Sequence, residues 1–279
     1  MTDERVPRTY PQGVPSWIDL EAPDATGIAP FYGAVLGWSF TDAMPPGAPG
    51  HYLIATIDGQ DVAAIASGAA AIGRDPVWST YFAVDDAEVS AAAVERAGGT
   101  VTAPPADTPG GRPVACVDPE GAPFRLWQAG RRLGAQRVNA PGAWGFSLLR
   151  TADPRAAFAF YSSFLPWAWS PEASAGFIRV PGYGAHLAAT SDPGILDRQR
   201  FAPEGFEDAA AGFDALAPGE APHWHVSFTV PDRDATLEAV TANGGTVEST
   251  GQDRWTRHAT VADPLGARFA VSQFTPPGG

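Results

Sequence analysis

The feature that most constrains this chain is that it repeats itself. Residues 16–38 read SWIDLEAPDATGIAPFYGAVLGW, and residues 145–167 read GFSLLRTADPRAAFAFYSSFLPW. Asp24, Phe31, Tyr32, Leu36 and Trp38 recur as Asp153, Phe160, Tyr161, Leu165 and Trp167, each 129 residues later. A second segment also recurs. Residues 79–101, STYFAVDDAEVSAAAVERAGGTV, return at 225–247 as HVSFTVPDRDATLEAVTANGGTV. Farther on, VDPEGAPFRLWQ at 117–128 returns as ADPLGARFAVSQ at 262–273. The order is A-B-A′-B′, so the fold must be built from four modules in two tandem copies.

Each module reads the same way. A strand of alternating or apolar residues, such as Thr80–Val84, leads to an aspartate able to cap a helix. The helix stops at a Gly-Gly pair, Gly98-Gly99 or Gly244-Gly245 in the B modules. Three short strands follow, separated by turns such as Asp118-Pro119-Glu120-Gly121. The module is therefore βαβββ, and the 31 Gly and 28 Pro residues are the turns between short elements. A length of 279 residues fits about two domains. The repeats place them at 14–129 and 143–275, joined by the link 130–142, GRRLGAQRVNAPG. An excursion at 191–222 has no counterpart in the first half. It is expected to form short helices over an opening or an ordinary surface loop.

Composition narrows the partners. The net charge is -13, and all 18 basic residues are Arg. This argues against a nucleic-acid binder, which needs basic surface. The missing Lys reads as codon bias. Cys116 is alone, which excludes an intrachain disulfide and a Cys-rich zinc site. The stretch Met1–Gly13 is polar, and no run approaches 18 apolar residues, so a cytoplasmic location without membrane contact is expected. Neither a Gly-x-Ser-x-Gly nucleophile motif nor a P-loop nor a dinucleotide fingerprint occurs.

Trp17-Ile18-Asp19-Leu20 through Phe31-Tyr32, Tyr81 through Asp86, Asp118-Pro119 through Leu126-Trp127, and His225 through Asp232 together resemble the vicinal oxygen chelate superfamily. That superfamily includes glyoxalase I, bleomycin-resistance proteins and extradiol dioxygenases. Residues 181–207 resemble its tandem branch of actinobacterial type. The resemblance covers nearly all of 14–275 and is specific for fold, since many chemistries share it. It implies an α+β fold in which four tandem modules form two cup-shaped, half-barrel mixed sheets, with helices outside and ligands inside.

Strand alternation then assigns the cup faces. Trp17, Asp19 and Glu21 face inward in the first module, and Ser79, Tyr81 and Ala83 in the second. Phe146, Leu148 and Arg150 do so in the third, and His225, Ser227 and Thr229 in the fourth. Arg125 and Trp127 face inward on a last strand. Metal-dependent relatives carry a His on a module's first strand and a Glu on its last. The first-strand positions here hold Trp17, Ser79, Phe146 and His225, and the last-strand positions of the B modules hold Arg125 and Ala270. The last strands of the A modules, expected near 62–67 and 185–190, contain no Glu. Only His225 survives, and a divalent metal needs three or four converging ligands. No cofactor is therefore expected.

The remaining chemistry falls into three groups. Trp17, Tyr81, Trp127, Phe146, Trp144 and Trp255 offer aromatic faces to a flat ligand, flanked by Arg125 and His258. Asp19 is a carboxylate among apolar walls, suited to acid–base work, with Arg125 or Arg150 as its alternative neutralising partner. His225 on the fourth module and His186, placed on a late strand of the third, are histidines suited to proton transfer. Trp38 and Trp167, just after the helices, read as structural. The leading expectation is a metal-independent protein, monomer or homodimer. It would sequester a planar aromatic, polyketide-like natural product or drug, or act on one by isomerisation, cyclisation, hydration or lyase chemistry. The alternatives are a metal-dependent glyoxalase or dioxygenase using His225, and a non-catalytic interaction protein.

Overall fold

A computed structural model describes residues 7–68, 73, 75–169, 177–200 and 202–275. Residues 1–6 of the polar N-terminal stretch, 170–176 of the second half and Phe201 of the 191–222 excursion lie outside the described residues. The first module is β1 (Pro15–Glu21), α1 (Ala25–Leu36), β2 (Ser39–Asp42), β3 (His51–Ile57) and β4 (Gln60–Ser67). The second is β5 (Val77–Ala83), α2 (Ala87–Arg96), β6 (Thr100–Ala103), β7 (Gly111–Val117) and β8 (Pro123–Ala129). The fourth is β12 (His223–Thr229), α6 (Arg233–Ala242), β13 (Thr246–Gln252), β14 (Thr256–Ala262) and β15 (Arg268–Phe274).

The third module departs from the βαβββ pattern. It runs β9 (Trp144–Thr151), α3 (Pro154–Tyr161) and a three-residue β10 (Phe177–Arg179). Two helices follow, α4 (Tyr183–Ala189) and α5 (Ile195–Arg198), then a 3₁₀ turn (Phe206–Asp208) and β11 (Ala209–Ala215). The last strand expected near 185–190 is therefore β11, and His186 stands on helix α4. The Gly/Ala-rich run Tyr183–Ala189 mimics strand alternation, but its buried residues are Tyr183, Gly184 and Leu187, a helical spacing.

The strands form two open mixed sheets with helices outside. Their orders are β2-β3-β4-β1-β5-β8-β7-β6 and β10-β11-β9-β12-β15-β14-β13. In every module the first strand pairs in parallel with the last, β1 with β4, β5 with β8, β9 with β11 and β12 with β15.

The compact units do not follow the tandem halves. Unit 1 takes residues up to Ser16, Thr80–Gly134 and Ser147–Trp224, which are essentially the second and third modules. Unit 2 takes Trp17–Ser79, Ala135–Phe146 and His225–Gly279, essentially the first and fourth.

The repeated residues explain both cores. Asp24, Asp86, Asp153 and Asp232 cap α1, α2, α3 and α6 by accepting from first-turn amides, which would otherwise lack partners. In unit 1, Tyr161 stacks on Trp167 with centroids 5.1 Å apart, and Trp167 Nε1 donates to the Gly13 carbonyl at 2.8 Å. In unit 2, Tyr32 stacks on Trp38 at 5.4 Å, and Trp38 Nε1 donates to the Gly142 carbonyl at 2.8 Å. Both tryptophans are structural, as their place in the repeat implies. Each Tyr hydroxyl also donates to a buried aspartate of the partner module, Tyr161 to Asp118 at 3.1 Å and Tyr32 to Asp263 at 3.0 Å.

The Gly-Gly pairs do two jobs. Gly98 and Gly244 have φ of 92° and 85°, the left-handed region where a side chain is strained. Gly99 and Gly245 make room: a Cβ there would lie 2.8 Å from the Phe160 ring or 2.9 Å from the Phe31 ring.

Candidate functional site

In unit 2, β1 places Trp17 and Asp19 on one face, and Asp19 is only 2% exposed. Register sets Asp19 opposite Ala64 of β4, with Ile54 of β3 beyond. Glu21 lies opposite Ala66, and Ala66 opposite Tyr52. Methyl side chains at 64 and 66 do not block a long side chain crossing above them. Tyr52 makes that crossing: its hydroxyl donates to Asp19 Oδ2 at 3.2 Å and accepts from Trp17 Nε1 at 3.0 Å. An indole N–H only donates, so the phenol proton is directed at the carboxylate. Asp19 and Trp17 were expected on this face, whereas Tyr52 was not singled out. Strand alternation from Ile54 was the signal available for it.

In unit 1, parallel register sets Tyr81 opposite Arg125, whose guanidinium lies 5.6 Å from the Tyr81 ring centroid. The Trp127 ring meets Tyr81 edge to face at 6.4 Å and 81°. Trp127 Nε1 donates to the Arg132 carbonyl at 3.1 Å, which fixes the indole. On β8, Phe124 and Leu126 are buried while Arg125 and Trp127 are half-buried, the alternation the sequence implies.

On β9, Trp144 is buried, and Phe146, Leu148 and Arg150 are half-buried. On β12, Trp224, Val226 and Phe228 are buried, and His223, His225, Ser227 and Thr229 form the half-buried face. Arg150, an alternative partner for Asp19 on the sequence alone, pairs with Asp214, its register partner on β11, and with Glu220 at 3.0 Å. Glu220 is held below the usual carboxylate range: burial pushes it up, but the Ala217 amide at 2.7 Å and Arg150 outweigh burial. His223 Nδ1 lies 2.9 Å from the Ala221 carbonyl, and its Nε2 lies 3.8 Å from Glu220. Asp214 lies on β11, inside the 191–222 excursion that the sequence reads as helix or loop, and Glu220 lies in the loop that follows it.

The other expected site residues sit elsewhere. His186 Nε2 lies 2.9 Å from Thr9 Oγ1 and 3.3 Å from the Thr9 carbonyl, joining α4 to the N-terminal segment. Trp255 lies just before β14, near-parallel to Phe274 with centroids 6.5 Å apart and Arg254 at 5.3 Å. His258 is exposed on β14, with its ring against Gly251.

The superfamily that the sequence resembles has metal-dependent members, which makes a metal the group to test. The corresponding positions hold an indole (Trp17), a hydroxyl (Ser79), a phenyl (Phe146), a guanidinium (Arg125), a methyl (Ala270) and one imidazole (His225). A cation where a carboxylate is needed repels a second cation, and one imidazole is too few donors. Among the described residues no three of His, Cys, Asp and Glu converge as a metal site. The residues present do not fit the metal.

Comparison with known proteins agrees with the fold. The profile of the Glyoxalase-like domain matches residues 17–127 and again 146–272. CFP32 of Mycobacterium tuberculosis (strain CDC 1551 / Oshkosh), which carries a provisional glyoxylase name, is 36% identical over 272 residues, 96% of this chain and 97% of that protein. The anthracycline biosynthesis protein DauV of Streptomyces sp. (strain C5) is 33% identical over 283 residues, 95% of this chain and 94% of that protein. Among solved structures, the Mn(II)-bound glyoxalase from Novosphingobium aromaticivorans superposes with a TM-score of 0.60 at 16% identity, covering 95% of this chain and 85% of that one. No helix among the described residues is long and apolar enough to cross a membrane. Two matches of one domain profile, full-length relatives above 30% identity and the module architecture together place the chain in the glyoxalase-like family of the vicinal oxygen chelate superfamily.

Proposed function

We propose that this chain is a metal-independent small-molecule protein that binds a planar aromatic, polyketide-like compound and either holds it or rearranges it by acid–base chemistry. The observation that carries the reading is the replacement of the family's metal-ligand positions by aromatic and hydrogen-bonded side chains. Where ligands would stand, Trp17 is tied through Tyr52 to buried Asp19, and Arg125 lies over Tyr81 beside Trp127. Tyr81 and Trp127 offer rings to a flat ligand, and Asp19 offers a proton acceptor. The name of DauV, an anthracycline biosynthesis protein, supports the polyketide class.

Tryptophan fluorescence titration with anthracyclinones tests the reading. Saturable quenching is expected, weakened about 2- to 10-fold by Trp127→Ala, the range of one aromatic contact. Absence of quenching with every anthracyclinone tried refutes it. Elemental analysis of the purified protein tests metal independence: stoichiometric metal that is lost in His225→Ala refutes that part.

A further inference from the structure

Strand β10 carries an unmatched cation. Ile178 is buried in the core of unit 1, so strand alternation puts Phe177 and Arg179 together on the face turned away from that core, where both are half-buried. The Arg179 backbone is spent on Ala168, whose N–H and C=O it pairs. Its guanidinium Nε is buried with no hydrogen bond, and the side chain makes no ion pair among the described residues. Arg150 of the same module, also half-buried, holds both Asp214 and Glu220. The acids of residues 204–208 do not supply the missing charge. Asp208 gives its two oxygens to the amides of Gly182 and Gly184, at 3.0 and 2.8 Å. Glu207 packs its Cβ and Cγ against Gly184, and Glu204 is exposed. A guanidinium does not shed its proton, so a partly desolvated one is costly until an anion pairs with it.

The surroundings are shaped to that cation. Gly205 has a φ of 76°, and a Cβ there would overlap Arg179 Nη1 and lie 3.3 Å from its Cδ, so glycine leaves the guanidinium its place. The next residue, Phe206, meets the Phe177 ring edge to face at 5.0 Å and 82°. Two half-buried rings thus accompany a fork of donors that matches a carboxylate in two parallel hydrogen bonds. We propose that Arg179 seats the carboxylate of the ligand, with Phe177 and Phe206 against its ring, so that the compound this protein takes is a planar aromatic acid. This rests on the small-molecule reading above and names its substrate class. No bond is made or broken in this role. The net charge of -13 repels anions in general, so an aromatic acid is held here by a local cation.

The test is calorimetric titration of the full-length protein with 2-naphthoate and with methyl 2-naphthoate, the same ring with its charge removed, at neutral pH and fixed salt. The acid is expected to bind about tenfold tighter than the ester, or more, the span of a charge-assisted hydrogen bond. Arg179→Met is expected to remove that preference and to leave the affinity for the ester unchanged. Arg179→Lys, which keeps the charge but lacks the fork, is expected to retain only part of the preference. If the parent binds acid and ester alike, the carboxylate seat is overturned while small-molecule binding stands. If Arg179→Met melts like the parent and still prefers the acid, the assignment to Arg179 is overturned. Arg179→Lys with the parent's full preference overturns the forked contact, whether or not Arg179→Met folds. If neither compound binds while anthracyclinones quench, the carboxylate seat falls and the aromatic reading stands. If the anthracyclinones fail as well, both readings fall.

Discussion

Tyr161 Oη donates to Asp118 Oδ2 at 3.1 Å and accepts from Trp224 Nε1 at 3.0 Å, so one buried hydroxyl ties together three segments of the chain. Tyr161→Phe leaves the Trp224 N–H without its acceptor and removes one donor from Asp118. An unsatisfied buried polar group costs about 1–3 kcal/mol. Urea denaturation is expected to show a loss of that size with an unchanged slope. A loss below about 0.5 kcal/mol would show that the hydroxyl does not join the modules.

The carboxyls of Asp118 and Asp263 give a second test. Burial raises both above the ordinary 3.8, against the pull of several backbone amides and the Tyr hydroxyls. With the folded value above the unfolded one, the native state holds more protons between the two. The stabilising contribution is then complete below 3.8 and is lost as pH rises through the folded value. Relative to Asp118→Asn, the parent protein should lose stability as pH climbs through that window. Parallel stability–pH curves for the two would contradict the raised value.

Gly99→Ala probes the close approach at the end of α2. Its Cβ would sit 2.8 Å from the Phe160 ring and 2.9 Å from Val94, with φ unstrained, so steric crowding is isolated from backbone conformation. Overpacking of this kind costs about 1–3 kcal/mol. Gly98→Ala, with φ of 92°, meets no comparable contact and tests the backbone term instead.

Cutting the chain within 130–142 gives a fourth test. Each half then holds one module of unit 1 and one of unit 2, each stripped of the module that completes its core. The separate halves are expected to aggregate or self-associate, and to yield native far- and near-UV CD only when mixed. Two halves that are each monomeric with native CD would refute the interleaving.

Much of this was legible in the sequence because it is local or repeated. Aspartate caps, Gly-Gly stops and the Phe-Tyr/Trp spacing fix modules by short-range rules, and alternation assigned the faces of β8 and β12. The grouping of modules into units was not legible, because it depends on Phe31 and Phe160 finding Gly245 and Gly99, contacts made far along the chain. Tyr52 was missed for a similar reason: its partners lie 33 and 35 residues back, and only strand register brings them together. His186 was misplaced because a Gly/Ala-rich helix has too few large side chains to betray its period.

The interleaving also orders the chain's birth on the ribosome. Tyr32 is made early, but Asp263, to which it donates, lies 231 residues farther on. At about 5–20 residues per second, unit 2 waits roughly 10–50 seconds for its last module. Unit 1 needs no residue beyond Trp224 and can close while the ribosome is still working. The first module, with Phe31, Tyr32 and Trp38 uncovered, is the segment a chaperone would have to guard.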